Sequence, residues 1–424
     1  MNASLRHEAV LIHPPRQPLS GRLVLPGSKS ITNRALMLAG LARGESRLTG
    51  ALKSDDTARM AEALAAMGVR VEEPDATSFV VQASGRLQPP RDPLFLGNAG
   101  TAMRFLTAAA ALVEGEIVLD GDAHMRRRPI GALVEALRTL GVEATDTSGC
   151  PPVTIMGRGG FTGSRVEIDA SLTSQYVSAL LMLAACGKGA VEVALRNVDI
   201  GARGYIDLTV AAMEQFGGRV EAVGAGLWRV APGGYTACTF AVEPDASAAT
   251  YPWAAAVLTG GHIDLGLAPE AFSQPDAAAH GVIAAFPHMP ALIDGSQIQD
   301  AVPTLAVLAA FNATPVRFTG IANLRVKECD RVSALSEGLN RLRPGLAREE
   351  GDDLLVASEP ALRGARLDAR IDTHDDHRIA MSFALAGLVA SGVVIENPAC
   401  TAKTYPGYWR DLASLGVGLD FRTG

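Results

Sequence analysis

At 424 residues the chain has material for two or three domains, which excludes a peptide hormone or a disulfide-stapled mini-protein. Its 48% apolar and 20% charged residues are the balance of a folded globular protein rather than a disordered one. A net charge of −7, from 38 Lys+Arg against 45 Asp+Glu, gives no overall field for nucleic acid or anionic lipid, so an anionic ligand must be gripped by local cations.

The amino terminus, MNASLRHEAVLIHPP, lacks the apolar core of a signal peptide, and no later apolar run reaches about 18 residues before Gly or a polar residue interrupts it. The expectation is a cytoplasmic protein with no membrane span. Five cysteines (Cys150, Cys186, Cys238, Cys329, Cys400) are odd in number and widely spaced, so neither a disulfide framework nor a thiolate metal site is indicated. Aromatic residues, at 5%, are too scarce to build base-stacking platforms.

Along the chain one segment recurs: polar residues, an apolar helix-like run, a break near Gly, then a β-rich stretch. Copies begin at Thr32, Thr101, Thr173, Ala246, Asp300 and Asp376, which divides the sequence into six units. Between them lies a second element, an amphipathic helix that ends in Gly and leads into a strand, as in AAMGVRVE, RTLGVEAT, EQFGGRVE and ASLGVGLD. Leu133, Leu137 and Leu140 form one apolar stripe, and Met60, Leu64 and Met67 another. Gly68, Gly141, Gly217 and Gly416 read as the caps that end these helices.

A helix apolar all round is buried, whereas an amphipathic one covers a sheet from outside. The fold class is therefore α/β, and six units divide into two domains of three. The boundary falls near AVEPDASAA at 241–249, with a matching crossover near Leu25–Pro26–Gly27.

Unusual polar residues collect at the starts of the buried helices: Ser28, Lys29, Ser30 and Arg34, then Asn98, Gly100, Thr101 and Arg104, then Thr173, Ser174 and Gln175, then Asp300, and finally Asp376, His377 and Arg378. Helix N-termini present unpaired N–H groups and about half a positive charge, so several of them favour anions. The Ser, Thr, Asn and Asp residues are also what simple N-caps require. Cations at a helix start oppose the dipole unless an anion offsets them, and with MRRRPIG, LRVKECDRV and CTAKTYPGYW they point to a multiply anionic, phosphorylated substrate.

Rival motifs fail on spacing. PGSKS at 26–30 lacks the glycines of a P-loop, and GRGGFTG at 157–163 has Thr162 where a dinucleotide loop needs Gly. HDDHR at 374–378 offers metal-ligand types, but adjacent residues on one short stretch do not all converge on one ion. No GxSxG is present, and Cys329 reads as a packed thiol rather than a nucleophile.

LPGSKSITNRA, LFLGNAGTAMR, RRPIG, TSQY, RVKECDR, DDHRIAM and CTAKTYPGY run in this order from residue 25 to 408. They closely resemble the 5-enolpyruvylshikimate-3-phosphate synthase family of enolpyruvyl transferases. The resemblance implies two similar domains, residues 1–27 with 244–424 and residues 28–243. Each would hold three βαβαββ-like units with buried helices, an inside-out α/β barrel, and the active site would lie in the cleft between them.

The implied reaction moves the carboxyvinyl group of phosphoenolpyruvate to the 5-hydroxyl of shikimate 3-phosphate and releases phosphate, on the route to chorismate and the aromatic amino acids. Closure of the domains would exclude water. By the same resemblance, shikimate 3-phosphate is held by Lys29, Ser30, Arg34, Thr173, Ser174, Gln175, Tyr205, Asp300, Asn323 and Lys327. Phosphoenolpyruvate is held by Lys29, Asn98, Gly100, Arg104, Arg128, Gln175, Arg331, His377, Arg378 and Lys403.

Asp300, Glu328, Lys403 and Lys29 are the implied catalytic residues, with Asp300 and Glu328 the acid–base pair. Eight cations less two carboxylates leave six positive charges for substrates that bring roughly five to six negative ones. No cofactor, metal, nucleic acid or membrane partner is expected, and a monomer is the default.

The sequence departs from the family pattern at Ala202, where Ser is usual, and at Phe105, where Pro is common. It departs again at His374 and Asp375, and at Cys329. Ala202 removes a hydroxyl donor, and Phe105 is expected to leave its helix start less rigid. Two alternatives remain: the related transferase acting on a UDP-aminosugar, whose reactive Cys is missing from residues 110–125, and a non-catalytic phospholigand binder, against which Asp300, Glu328 and Lys403 argue.

Overall fold

The computed structural model describes residues 8–423. Among them six helices are buried on almost every face: Lys29–Leu41, Gly100–Ala109, Gln175–Ala184, Ala246–Thr259, Val302–Ala309 and His377–Ala384. They begin within three residues of the six starts expected from the sequence. Apart from Lys29, Arg34, Arg104, Gln175, His377 and Arg378 near their starts, their faces are built mainly from Ala, Leu and other small or apolar residues, which allows close helix approach and removes apolar area from water in every direction.

A parallel strand pair needs a crossover, and a buried helix supplies it. In one sheet Arg165–Ile168 runs parallel to Val191–Leu195, and Leu227–Val230 and then Val220–Gly224 add antiparallel. The sheet of Leu94–Phe95, Glu114–Asp120, Cys150–Arg158 and Glu143–Thr147 repeats that order. So does the sheet of Leu292–Asp294, Val316–Thr319, Asp353–Val356 and Ala347–Glu350.

Two further sheets reach the same order with strands distant in sequence. Ala9–His13 inserts between Ser391–Glu396 and Gly418–Arg422, antiparallel to both. Tyr235–Thr236 and Thr239–Ala241 join Ala42–Thr49 in parallel. Register is set by alternation, since a one-residue slip would turn buried Val81 and Phe79 outward.

The unit that starts at Ala246 is the exception. It keeps its helix and one parallel pair, Ser20–Arg22 with His262–Asp264, but has no antiparallel hairpin. Six equal units are therefore not what forms: five are complete and one is truncated, which explains why the interval from 246 to 300 is the shortest in the series. The sheets of the described residues are separate and none closes into a barrel.

The chain forms two compact units, one running to Pro26 and resuming at Asp245, the other Gly27–Pro244. Each has its own hydrophobic core. In the second, Gly27 bridges Pro244, and a Cβ at Gly27 would lie 1.9 Å from the Gly50 carbonyl oxygen, so only Gly fits that approach.

The amphipathic helices Asp55–Ala66, Gly131–Thr139, Gly204–Gln215 and Tyr408–Ser414 end as expected, with Gly68, Gly141, Gly217 and Gly416 at φ between +83° and +95°. A fifth helix, Arg331–Leu342, leads to Gly345 at φ +82°. Its RLRPGLA ending disguised it in the sequence.

Candidate active site

In the unit Gly27–Pro244 the expected residues cluster at three buried-helix starts and the segments beside them. Ser28 caps Lys29–Leu41, and the Lys29 ammonium lies 3.4 Å from Asp56, whose side chain is 5% exposed. Ser30 lies in the first turn of that helix and its carbonyl accepts from Arg34 at 3.0 Å.

Arg34 is buried and hydrogen-bonded within its own unit. It is 2% exposed and donates to Thr209 Oγ1 at 2.7 Å, Ser178 Oγ at 3.2 Å and the Tyr205 carbonyl at 3.1 Å. Burial lowers its pKa to about 10. The guanidinium is met here by carbonyls and hydroxyls of the protein, so Arg34 ties three helices together.

Arg104 behaves similarly, donating to the Gly100 carbonyl at 3.0 Å and the Pro129 carbonyl at 2.9 Å. The Phe105 ring at this helix start is buried, with the Arg34 guanidinium carbon 5.3 Å from its centroid. Arg128 has the more open fork. It donates to Asn98 Oδ1 at 3.1 Å and lies so close to Gly100 that a Cβ there would meet its guanidinium at 2.6–2.7 Å.

Thr173 Oγ1 accepts from the Gln175 backbone N–H at 3.2 Å, buried Ser174 precedes the helix, and the Gln175 amide donates to Thr101. Tyr205 is half-buried on the Gly204–Gln215 helix. Ala202, three residues earlier, is buried with a left-handed φ of +54°, an uncommon backbone for a residue with a Cβ.

In the other unit the charges form one connected network. Arg331, 1% exposed, donates to Asp376 at 2.7 Å, Glu328 at 2.7 Å and Asp300 at 3.1 Å. Burial alone would lower its pKa, but the three carboxylates raise it above the ordinary arginine value. Arg378 donates to the other Asp300 oxygen at 2.8 Å, and Lys403 lies 3.1 Å from the second Glu328 oxygen. Asp300 and Glu328 are thus each held between two cations.

Lys327 donates to Gln299 at 3.4 Å, and Asn323 is buried in the preceding turn. His377 is fully buried, with Nδ1 3.7 Å from Asp376. Asp300 is not a helix cap: the carboxylate of Asp276 accepts from the N–H groups of Asp300 and Ala301, leaving the Asp300 side chain to the arginines.

Three acidic residues beside these side chains were not among the expected substrate-binding or catalytic residues. Asp376 carries the cap signature of its helix, accepting from the Arg378 N–H at 2.8 Å, and this concealed its second role as a partner of Arg331. Asp56, beside Lys29, lies at the start of a helix with a capping box. Asp276 had no signal.

HDDHR does not converge. His374 is half-exposed near Glu337 and Asp372, whereas His377 is buried. Among the described residues no group of three or more His, Cys, Asp or Glu is arranged to hold a metal. Cys329 points at Asp376, 3.7 Å away, and burial followed by that carboxylate pushes its thiol far above the ordinary range, which makes it a poor nucleophile.

Two units built on this repeat, with cationic helix starts, define a fold seen in solved enolpyruvyl transferases. The EPSP synthase structure from Acinetobacter baumannii matches with a TM-score of 0.78 at 24% identity, covering 97% of this chain and all of that one. The enolpyruvyl transferase NikO from Streptomyces tendae matches with a TM-score of 0.73 at 18% identity, over 99% of this chain and all of that one. At these identities the likeness speaks for the fold.

The sequence carries the family. The model for EPSP synthase (3-phosphoshikimate 1-carboxyvinyltransferase) matches residues 14–284 and 274–412, and the chain belongs to that family. A 3-phosphoshikimate 1-carboxyvinyltransferase from Rhizobium leguminosarum bv. trifolii is 68% identical over 412 residues, spanning 97% of this chain and 98% of the relative.

Proposed function

We propose that the chain transfers the carboxyvinyl group of phosphoenolpyruvate to the 5-hydroxyl of shikimate 3-phosphate with release of phosphate. The family supports the reaction, and the observation that carries the chemistry is the paired placement of Asp300 and Glu328 among Arg331, Arg378 and Lys403.

Addition forms a bond from the 5-oxygen to C2 of the enol phosphate while a proton goes to C3 and the hydroxyl proton leaves. Elimination takes a proton back from the new methyl group and breaks the bond from C2 to the phosphate oxygen. Each stage needs one group that gives a proton and one that takes it. Two carboxylates with different cation partners can divide those roles: Asp300, between two arginines, takes the hydroxyl proton, and Glu328, with Lys403 at its second oxygen, moves the proton at C3.

Lys29, Asn98, Gly100, Arg104, Arg128, Gln175, Arg331, His377, Arg378 and Lys403 form the phosphoenolpyruvate set. Lys29, Ser30, Arg34, Thr173, Ser174, Gln175, Tyr205, Asp300, Asn323 and Lys327 form the shikimate 3-phosphate set, with Arg34 and Arg104 acting through the backbone they hold. Both sets must engage one substrate pair for turnover. No described helix is long and apolar enough to cross a membrane; the proposed setting is a cytoplasmic monomer.

The test is phosphate release by the purified chain, with each substrate alone and both together, in the presence of EDTA. Release that requires both substrates and survives EDTA supports the reading. Release with a UDP-aminosugar in place of shikimate 3-phosphate, or tight binding without release, overturns it.

A further inference from the structure

The Nη atoms of Arg378 find their acceptors on Asp300, at 2.8 Å to the carboxylate and 3.3 Å to the carbonyl, while its buried Nε finds no acceptor within hydrogen-bond distance in the protein. The Tyr251 hydroxyl, on the neighbouring Ala246–Thr259 helix, is the second buried polar atom here that closes no hydrogen bond, and the side chain is 1% exposed. Unpaired buried polar groups are costly, and two adjacent ones call for a reason.

The two groups sense each other. Burial pushes the Tyr251 phenol well above its ordinary range, and the positive charge of Arg378, followed by that of Arg331, draws it back. The ring is fixed: it packs edge-on to Tyr408 at 5.7 Å, and the Tyr408 hydroxyl donates to the Met381 carbonyl on the helix that carries Arg378. Thr250, one residue before, meets Thr304 at 3.0 Å and ties the Tyr251 helix to Val302–Ala309.

Resting on the transferase reading above, we propose that Tyr251 is a positioning residue for Arg378: its hydroxyl accepts from the guanidinium Nε when phosphoenolpyruvate draws the fork forward, fixing the plane in which Arg378 grips the donor anion. Asp300 then sets one edge of the fork and Tyr251 the other. A planar fork binds an anion bidentately only if its plane is fixed, so the second anchor acts on donor affinity rather than on proton transfer.

Tyr251→Phe removes only the hydroxyl. The expected result is a KM for phosphoenolpyruvate raised about tenfold, the size of one lost hydrogen bond to a charged group. The kcat should stay within about twofold, and the KM for shikimate 3-phosphate should not move. In an Arg378→Lys background the same substitution should have no further effect, because lysine has no Nε–H fork to orient.

An unchanged phosphoenolpyruvate KM in an active Tyr251→Phe enzyme overturns this inference alone. So does a melting temperature more than about 5 °C below wild type with kcat and both KM values altered together, which would mark a packing role. A wild-type protein with no turnover overturns the functional reading first, and this inference with it.

Discussion

Arg331 donates from Nε to Asp376 at 2.7 Å, and neither side chain is more than 1% exposed. Such a pair is not by itself evidence of stability, because both charges have left water. Its consequence is that Arg331 cannot relax when a carboxylate is lost. Asp376→Asn keeps the helix cap's acceptor but removes the charge, leaving Arg331 with Glu328 and Asp300. We expect a loss of roughly 3 kcal/mol in a urea titration, toward the low end for a broken buried pair. A midpoint within experimental scatter of wild type would show that those two carboxylates suffice.

Glu328 accepts from Arg331 at 2.7 Å and lies 3.1 Å from Lys403. Glu328→Gln keeps the shape and one acceptor but cannot carry a proton. The expected loss in kcat is roughly 10²–10⁴-fold, the usual contribution of one general acid–base group. Initial rates with both substrates saturating, alongside a thermal melt, separate this from unfolding. A variant retaining more than a tenth of wild-type kcat would remove Glu328 from the chemistry.

Much of this was legible in the sequence where the signal is local. The six helix starts are short-range patterns, and the left-handed glycines at 68, 141, 217 and 416 follow from helix-ending chemistry over a few residues. Partners distant in sequence were not legible. Nothing near Arg34 in the sequence shows Ser178 and Thr209, its acceptors on other helices. Asp376 reads as a cap because its bond to Arg331 spans 45 residues. The truncated fourth unit was visible as a short interval, but apolar patterning reports helices more clearly than it reports a missing hairpin.

Gly100 and Arg128 are in such close approach that a methyl group at residue 100 would sit 2.6 Å from the guanidinium. A flexible arginine can give way, so Gly100→Ala should fold, with a melting temperature near wild type. It should displace the fork that Asn98 holds at 3.1 Å and raise the KM for phosphoenolpyruvate about tenfold. The KM for shikimate 3-phosphate should be unaffected. Equal changes in both KM values would place Arg128 outside the donor site.

All five cysteines have thiols raised above the ordinary value, mainly by burial; Cys186 and Cys400 reach about 12. An acid whose pKa is higher in the folded state contributes stability that is fully present below its unfolded pKa. That contribution is lost as pH rises toward the folded value, because the unfolded chain then releases protons the native one keeps. Stability should therefore fall as pH rises above about 8.5, the unfolded thiol value. Urea midpoints at pH 7.5 and at pH 10 test this, and replacing Cys186 by Ala should flatten the decline between them. The same burial predicts slow alkylation at pH 8 of the native protein relative to the urea-unfolded chain; equal rates would show that the thiolates form freely in the fold.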